Sequence, residues 1–311
     1  MQPSLSDIVK GSGVAGCAVG ILRQGKGPEF TFHGACATGG EEIAPGFLWE
    51  AASLSKPVVA LLAIEQIRDE ATFLSQSLSI DPRSLGADDD ARWAEVTPFH
   101  LLTHTSGLPN WRENGQQLGF ESDPGTAGYS GEGYELLLTE LSTRSGMLVG
   151  PMLDLHLARL GMLSSTFTPQ DTTAAWVVVG RSESGSDVPK HHPAEAKASG
   201  SLHTTAMDYL RFLRHVARPY EAAEPHRSVE AKLVAERQTE VLPGYGRSLA
   251  WAFVESDLGD VLWQHGDNPG FKHVAAVRPS TGEALVVLTN DDNGQPLYRE
   301  LCKGFFDIEV W

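Results

Sequence analysis

Short apolar runs separated by turn residues occupy the two ends of the chain. Residues 14–22 alternate small and apolar side chains, and residues 29–34 follow after a glycine-containing turn, so the pattern predicts a β-hairpin. Near the other end, short apolar runs joined by short turns predict an antiparallel meander. Its four strands are expected at residues 249–254, 260–263, 272–277 and 284–289. A terminal helix is predicted at residues 296–305.

The central part of the chain has helical patterning. The apolar run from Val58 to Ile64 is too long and too rich in alanine and leucine for a strand, so a buried helix is predicted to begin near Ser53. Further helices are expected after Thr97 (continuing toward Gly107), at residues 147–160, and after Thr204 or Thr205. Strands at both ends and helices between them predict an α+β fold.

The order of these elements predicts two lobes. Residues 1–55 and 242–311 are expected to form an α/β lobe, with an antiparallel sheet built from the hairpin and the meander and flanked by terminal helices. Residues 56–241 are expected to form an inserted, mostly helical lobe. The cleft between two such lobes is where we expect a small-molecule site.

Charge and composition exclude some classes of partner. The chain has 40 acidic and 24 basic residues and a net charge of -16. Nucleic acids and anionic membranes attract clustered lysine and arginine, so neither is expected as a partner. The N-terminus lacks a basic segment followed by an apolar one. We therefore expect a cytoplasmic protein if Met1 is native, and a periplasmic or secreted protein if a signal peptide was removed.

Histidine and cysteine positions do not predict a metal or another cofactor. His100 and His104 lie four residues apart, but no third ligand stands near them in the sequence, so a structural role is predicted for His104. The three cysteines, at positions 17, 36 and 302, lack metal-ligand spacing. They are expected to be buried free thiols.

Ser53 and Lys56 are the first candidates for chemistry. Three residues apart on a helix, they share one face. A hydroxyl at a helix N-terminus is favoured as it becomes anionic, and a buried lysine has a lowered pKa and can accept a proton. The spacing alone is a weak signal. The rival Gly-x-Ser-x-Gly motif of α/β-hydrolases is approached only at residues 128–132, where the final glycine is absent.

Several further segments, in a fixed order, carry a family resemblance. They are Ala51-Ala52-Ser53-Leu54-Ser55-Lys56, His100 to Leu108, Tyr129 to Tyr134, Leu160 to Phe167, Ser199 to Tyr209, and His265 to Phe271. Together they resemble the serine hydrolases related to class C β-lactamases, DD-peptidases, D-aminopeptidases and family VIII carboxylesterases. The resemblance covers residues 14–288 and implies a β-lactamase/transpeptidase-like fold.

The resemblance implies a role for each matching residue. Ser53 is implied as the nucleophile, Lys56 as its base and Tyr129 as the hydroxyl that relays protons. The backbone N–H groups of Ser53 and Asp267 are implied as the oxyanion hole. A further catalytic role falls on His265, and the implied substrate-binding positions are Gly131, Gln264, Gly266 and Asn268.

Two departures from the family pattern bear on the substrate. The second motif of lactamases and peptidases ends in asparagine, where this chain has Gly131. The third motif begins with a cation or histidine, a position that falls on Gln264 or, with a shift of one residue, on His265. Neither is lysine, which weakens an anchor for the carboxylate that penicillins and peptidoglycan stems carry.

These observations predict a serine hydrolase that forms an acyl-enzyme on Ser53. Small carboxylic esters or simple amides are the expected substrates, because of the two departures. The alternatives are β-lactamase or D-amino-acid peptidase activity, and a catalytically weak protein that binds a β-lactam-like or peptide ligand on the same scaffold.

Overall fold

The structure, a computed structural model, describes residues 4–66, 72–113, 115–170, 176–189, 193–217, 239–242 and 245–310. Its α-helices are α1 (Leu5–Gly11), α2 (Ser55–Gln66), α3 (Pro98–Leu102), α4 (Gly131–Ser145), α5 (Val149–Leu160), α6 (Ala206–Ala217) and α7 (Gln295–Phe306). Its strands are β1 (Gly16–Leu22), β2 (Glu29–Gly34), β3 (Trp49–Glu50), β4 (His203–Thr204), β5 (Thr239–Leu242), β6 (Tyr245–Arg247), β7 (Ala252–Val254), β8 (Val261–Asn268), β9 (Phe271–Arg278) and β10 (Glu283–Thr289).

One antiparallel sheet joins the two ends of the chain. Its strand order within the described residues is β2-β1-β10-β9-β8-β7-β6-β5. β1 pairs with β10, so that Cys17 lies opposite Thr289. The predicted hairpin and meander therefore form a single sheet, and the predicted α+β fold class is confirmed. The division into two lobes stays a prediction.

The sheet is buried on both faces. In β10, Leu285 and Val287 pack with the terminal helices α1 and α7, whereas Val286 and Leu288 pack with the central helices. This alternation follows from the period of two along a strand. Each fully buried aliphatic side chain contributes about 1.5–3 kcal/mol. Helices pack on both faces of the sheet and hold the strands in place. The side chains on these strands are therefore held in place as well.

The apolar run after Ser53 forms a core helix, α2. Every side chain from Val58 to Ile64 is buried, as expected for a helix that is apolar on all sides. A 3₁₀ turn, Ala52–Leu54, leads directly into α2, and the hydroxyl of Tyr209 on α6 donates to the carbonyl of Leu54 at 2.9 Å. The turn that contains Ser53 is therefore anchored in the core.

None of the described helices is long and apolar enough to span a bilayer.

Among the local features that differ from the sequence-based expectation, two concern residues near Tyr129. The helix after Thr97 ends at Leu102 and does not reach Gly107, because His104 has a left-handed backbone with φ of 57°. The apolar pattern also does not predict β5 and β6, which are four and three residues long and too short to show alternation.

The cysteines are free. Cys17 and Cys302 are buried, and burial raises the pKa of each thiol to about 12. Cys36 is only half-buried, so the expectation of buried thiols is confirmed for two of the three.

Candidate active site

Lys56 is fully buried and points back at Ser53. Its Nζ donates to Ser53 Oγ at 3.0 Å and to the carbonyl of Ser199 at 2.8 Å. Burial lowers the pKa of Lys56, because desolvation disfavours the ammonium form, although Tyr129 and Glu135 oppose this change. The structure thus joins a serine hydroxyl to a lysine that gives up its proton more readily than usual.

The turn that presents Ser53 has an unusual backbone. Ala52 has φ of 49°, in the left-handed region that L residues avoid, which costs on the order of 1–3 kcal/mol. The hydroxyl of Ser55 holds this turn. It donates to the carbonyl of Ala52 at 2.7 Å and accepts from the N–H of Leu202 at 3.0 Å. The surrounding chain therefore maintains the conformation that exposes Ser53 to its neighbours.

Tyr129 lies between the lysine and the sheet. Lys56 Nζ is 4.8 Å from the centre of its ring, and the ring of His104 stacks on it at 4.3 Å between centres. Gln264 Nε2, on β8, donates to the Tyr129 hydroxyl at 3.2 Å. The structure thus brings together Ser53, Lys56, Tyr129 and Gln264, although the first and last are more than 200 residues apart in the sequence.

The electrostatic surroundings favour the ionised form of Tyr129. Burial acts to raise the pKa of this phenol. The positive charge of Lys56, hydrogen bonding with Ser53 and Lys56, and the charge of Arg247 together outweigh burial and lower the pKa. Because the pKa of Lys56 is lowered too, the two groups are able to share one proton.

His104 holds the loop that carries Tyr129. Its Nδ1 accepts the N–H of Ser130 at 3.1 Å, and its carbonyl accepts the N–H of Gly128 at 2.8 Å. Burial lowers the pKa of His104 well below its usual value, so the ring is neutral. His104 therefore has a structural role, because its hydrogen bonds hold Gly128 and Ser130, the residues on both sides of Tyr129.

Glu135, on α4, fixes the segment that binds Lys56. Its carboxylate accepts the N–H groups of Ala198 and Ser199 at 3.2 and 3.0 Å, and also the Ser199 hydroxyl. The carbonyl of Ser199 is in turn an acceptor for Lys56. Glu135 thus positions the lysine through one residue. Sequence reasoning missed Glu135, because its partners lie more than sixty residues away.

Gln264 and His265 lie on opposite faces of β8. Leu262 packs with the central helices and Trp263 with the terminal ones, so alternation puts Gln264 on the first face and His265 on the second. The rings of His265 and Trp263 are 6.1 Å apart. Of the two registers left open by the sequence, the one with Gln264 faces Tyr129. The catalytic role of His265 stays a prediction.

The next residues of β8 lie against the turn that contains Ser53. A Cβ atom at Gly266 would be 2.6 Å from the carbonyl oxygen of Ala51, so only glycine allows this approach. Asp267 is exposed and pairs with Lys272, while the side-chain amide of Asn268 donates to Glu50. The Asn268 amide therefore braces the strand, and the structure does not present it as a free substrate ligand.

Gly131, at the start of α4, is packed against Asn110. Its N–H donates to the carbonyl and to the side-chain oxygen of Asn110, at 3.1 and 3.0 Å. A Cβ at Gly131 would be 2.6 Å from that carbonyl oxygen. The position predicted to bind substrate thus has a structural reason to be glycine, and the amide of Asn110 lies beside it.

Arg247, at the end of β6, is a second residue of the site that sequence reasoning missed. Its Cζ lies 5.5 Å from the centre of the Tyr129 ring. Its Nη1 is buried and has no hydrogen-bond partner in the part of the chain that the structure describes. Burial lowers the pKa of Arg247. No motif marks this arginine, because the strand that carries it is too short to be predicted.

An open cavity of about 380 Å³ reaches Tyr129. Asn110, Trp111 and Gly128 contribute to its walls. A small organic molecule fits a cavity of this size, which lies in the usual range for ligand pockets.

Comparison with known proteins supplies the family. A family model described as Beta-lactamase matches residues 4–301. No curated protein matches the chain. The solved structures that share its fold include a class C β-lactamase (TM-score 0.80, 18% identity, 93% of this chain and 91% of that one), a class C β-lactamase mutant (0.82, 16%, 98% and 99%), and the β-lactamase/D-alanine carboxypeptidase from Pseudomonas syringae (0.82, 18%, 96% and 98%).

These comparisons agree with the motif resemblance. At 16–18% identity the solved structures show the fold alone, whereas the family model spans nearly the whole sequence. The chain belongs to the β-lactamase family of hydrolases.

Proposed function

We propose that this protein hydrolyses small carboxylic esters or simple amides through an acyl-enzyme on Ser53. The hydrogen bond of 3.0 Å between Lys56 Nζ and Ser53 Oγ, in a buried site beside Tyr129, is the observation that carries the proposal. Acyl transfer needs a deprotonated hydroxyl and a proton route to the leaving group, and these three side chains supply both.

In the acylation step, the proton of Ser53 passes to the basic pair formed by Lys56 and Tyr129 as Oγ attacks the substrate carbonyl. The backbone N–H groups of Ser53 and Asp267 are proposed to bind the oxyanion. The tetrahedral intermediate collapses, the C–O or C–N bond breaks, and Tyr129 returns the proton to the leaving group. Water then attacks the acyl-enzyme, releases the acid and restores the proton to Ser53.

The neutral side chain of Gln264 supports simple esters and amides as substrates. It faces Tyr129 at the position where the family pattern has a cation or histidine. The second motif supports the same substrates. It ends in Gly131, which is packed against Asn110 and has no side chain that could bind a substrate amide.

A second candidate is the hydrolysis of β-lactams or D-amino-acid peptides. It is favoured by the solved structures that share this fold, one of which is described as a β-lactamase/D-alanine carboxypeptidase. A strained β-lactam ring also acylates serine readily, so this activity is expected at least as a slow reaction.

Burst kinetics with p-nitrophenyl butyrate and nitrocefin, combined with intact-mass analysis, test both candidates. We expect steady ester turnover, slow nitrocefin hydrolysis and a transient adduct on Ser53. The Ser53→Ala variant is expected to lose turnover and adduct, and retention of the wild-type rate would refute the assignment. Fast nitrocefin turnover would establish the second candidate. A stable, stoichiometric adduct would instead indicate a protein that binds its ligand without releasing it.

A further inference from the structure

Trp111 exposes a large aromatic surface beside the candidate active site. The residue is 58% exposed, and no ring among the described residues packs against its indole. A single exposed apolar side chain is common on protein surfaces and needs no explanation by itself. Trp111 is unusual in its position, because it lines the cavity of about 380 Å³ that reaches Tyr129.

Trp111 also lines a second, larger cavity. This open cavity has a volume of about 1000 Å³ and runs along α4 from Glu132 to Ser142. Ten residues of helix span about 15 Å. Glu135, which binds Ser199, belongs to the same wall. Because Trp111 lines both cavities, a substrate group that extends from the first cavity into the second meets the indole.

The indole of Trp111 occupies the space beside Gly131. A Cβ atom at Gly131 would lie 3.1 Å from Cη2 of the indole and 2.6 Å from the carbonyl oxygen of Asn110. The family pattern has asparagine at this position. A side chain there would crowd both the ring and the carbonyl, so this chain combines glycine with an apolar ring where the family pattern has a polar amide.

The backbone is fixed on both sides of Trp111. The carbonyl of Asn110 accepts the N–H groups of Gly131 and Glu132 at 3.1 and 3.2 Å. The backbone N–H of Arg112 donates to the Glu132 carboxylate at 3.3 Å, and the guanidinium pairs with the same carboxylate at 3.4 Å. The loop is thus tied to the first turn of α4, and an aromatic surface that is already in place binds a ligand at a lower cost in conformational entropy.

We propose that Trp111 determines specificity by stacking on a flat aromatic ring in the acyl portion of the substrate. The leaving group takes its proton from the Tyr129 hydroxyl, which Gln264 binds from the sheet, whereas Trp111 lies against Gly131 at the start of α4. This separation favours the acyl portion. Two aromatic rings attract each other beyond the effect of the area that they bury. The inference rests on the proposed function and narrows its substrates to aryl-acyl esters or amides, such as phenylacetyl compounds.

Vinyl phenylacetate and vinyl cyclohexylacetate test this proposal, with acid release followed by pH-stat titration. Both have the same aliphatic leaving group and acyl rings of similar size, but only the phenyl ring is flat and aromatic. After correction for spontaneous hydrolysis, wild-type kcat/KM is expected to be about fivefold higher for the phenylacetate, as for other aromatic pairs. Trp111→Ala is expected to remove this preference and Trp111→Phe to retain part of it.

A second tryptophan and a second pair of esters serve as controls. Trp176 is 57% exposed and lines neither of the two cavities, so Trp176→Ala is expected to keep the wild-type preference. Benzyl acetate and cyclohexylmethyl acetate place the ring on the leaving group instead. Trp111→Ala is expected to leave the ratio of kcat/KM for these two acetates unchanged.

Three results would overturn the proposal. One is a wild-type enzyme that hydrolyses both vinyl esters equally. Another is a Trp111→Ala variant that keeps the preference or loses the same factor on both esters, since the indole would then not recognise the aromatic ring. The third is a preference that depends on Trp111 only for the benzyl ester, which would place the ring on the leaving group. A thermal melt checks the fold, and Trp111→Phe supplies the comparison if the alanine variant does not fold.

Failure of the proposed function has a different signature. If the wild-type protein hydrolyses none of these esters, the affinities of benzylboronic acid and cyclohexylmethylboronic acid are compared by calorimetry, which needs no turnover. Tighter binding of the benzyl compound, abolished by Trp111→Ala, supports recognition of the ring without catalysis. Equal binding of the two compounds, or binding of neither, overturns it.

Discussion

Gln264 donates a hydrogen bond to the hydroxyl of Tyr129 across 3.2 Å and thereby connects strand β8 to the loop before α4. The amide orients the phenol but brings no charge. Positive charge comes instead from Lys56 and Arg247, whose cationic groups lie 4.8 and 5.5 Å from the centre of the same ring. Orientation and charge are therefore supplied to Tyr129 by different side chains.

Alanine substitutions at Gln264 and His265 are expected to differ in effect. Gln264→Ala removes the hydrogen bond to Tyr129 and is expected to lower kcat by about tenfold or more, whereas His265→Ala changes a side chain on the opposite face of β8 and is expected to cost less. Steady-state kinetics of the two variants with p-nitrophenyl butyrate make the comparison. A larger loss for His265→Ala would mean that the register with His265 in the site is the functional one.

Removal of the Tyr129 hydroxyl is expected to slow acylation. Tyr129→Phe keeps the ring on which His104 stacks but removes the proton relay, so the burst rate is expected to fall by about a hundredfold. Stopped-flow measurement of the burst provides the rate, and a thermal melt checks that the fold is intact. An unchanged burst rate would exclude Tyr129 as the acid–base group.

The pH dependence of activity should follow the lowered pKa values of Lys56 and Tyr129. Their ordinary values are 10.5 and 10.0, and both are lower in the folded protein. Because the proposed mechanism needs the deprotonated form of the pair, kcat/KM is expected to rise with pH and to level off before pH 10. A kcat/KM–pH profile that still rises steeply at pH 10 would contradict the lowered values.

Glu135 is expected to act on catalysis through Lys56. Its negative charge raises the pKa of Lys56, so Glu135→Gln should shift the acid limb of the kcat/KM profile to lower pH. The same change weakens the hydrogen bonds from Ser199 to residue 135. Because the Ser199 carbonyl binds Lys56, kcat should fall. Glu132→Gln, one turn earlier and paired with Arg112, is the control, for which no shift of the limb is expected. If Glu135 had a purely structural role, Glu135→Gln would change the melting temperature and leave the acid limb of the kcat/KM–pH profile at the same pH.

Gly266→Ala is expected to damage both stability and activity. The new Cβ would lie 2.6 Å from the carbonyl oxygen of Ala51, so β8 has to move away from the turn that holds Ser53. Overpacking of this kind costs about 1–3 kcal/mol. Chemical denaturation should show the lower free energy of unfolding. Ala276→Gly, on the neighbouring strand, is a control that weakens the sheet without this clash.

The sequence was sufficient for the parts of the site that are local in the chain. Ser53 and Lys56 are held three residues apart by one turn, and the apolar run that follows them identifies α2. The individual strands at both ends of the chain were predictable because alternation and turn residues recur there. In each case the structure depends on neighbours within a few residues.

Other features depend on distant parts of the chain. Glu135 acts on Lys56 only through Ser199, and Arg247 reaches Tyr129 from a strand of three residues. Sequence periodicity cannot predict such contacts. It indicates on which face of a helix or strand a residue lies, but not which distant residue packs against that face. The side of β8 on which Gln264 lies became clear only from the packing of Leu262 and Trp263.

The pairing of β1 with β10 has a consequence for how the protein is made. Gly16–Leu22 pairs with Glu29–Gly34 on one side and, on the other, with Glu283–Thr289, more than 260 residues later. A ribosome synthesises β1 long before β10, so the edge of β1 that faces β10 stays unpaired while α2 to α6 emerge. Contacts between such distant segments slow folding and leave strand edges open to association. The nascent chain is thus more prone to aggregation until Glu283–Thr289 has left the ribosome and paired with β1.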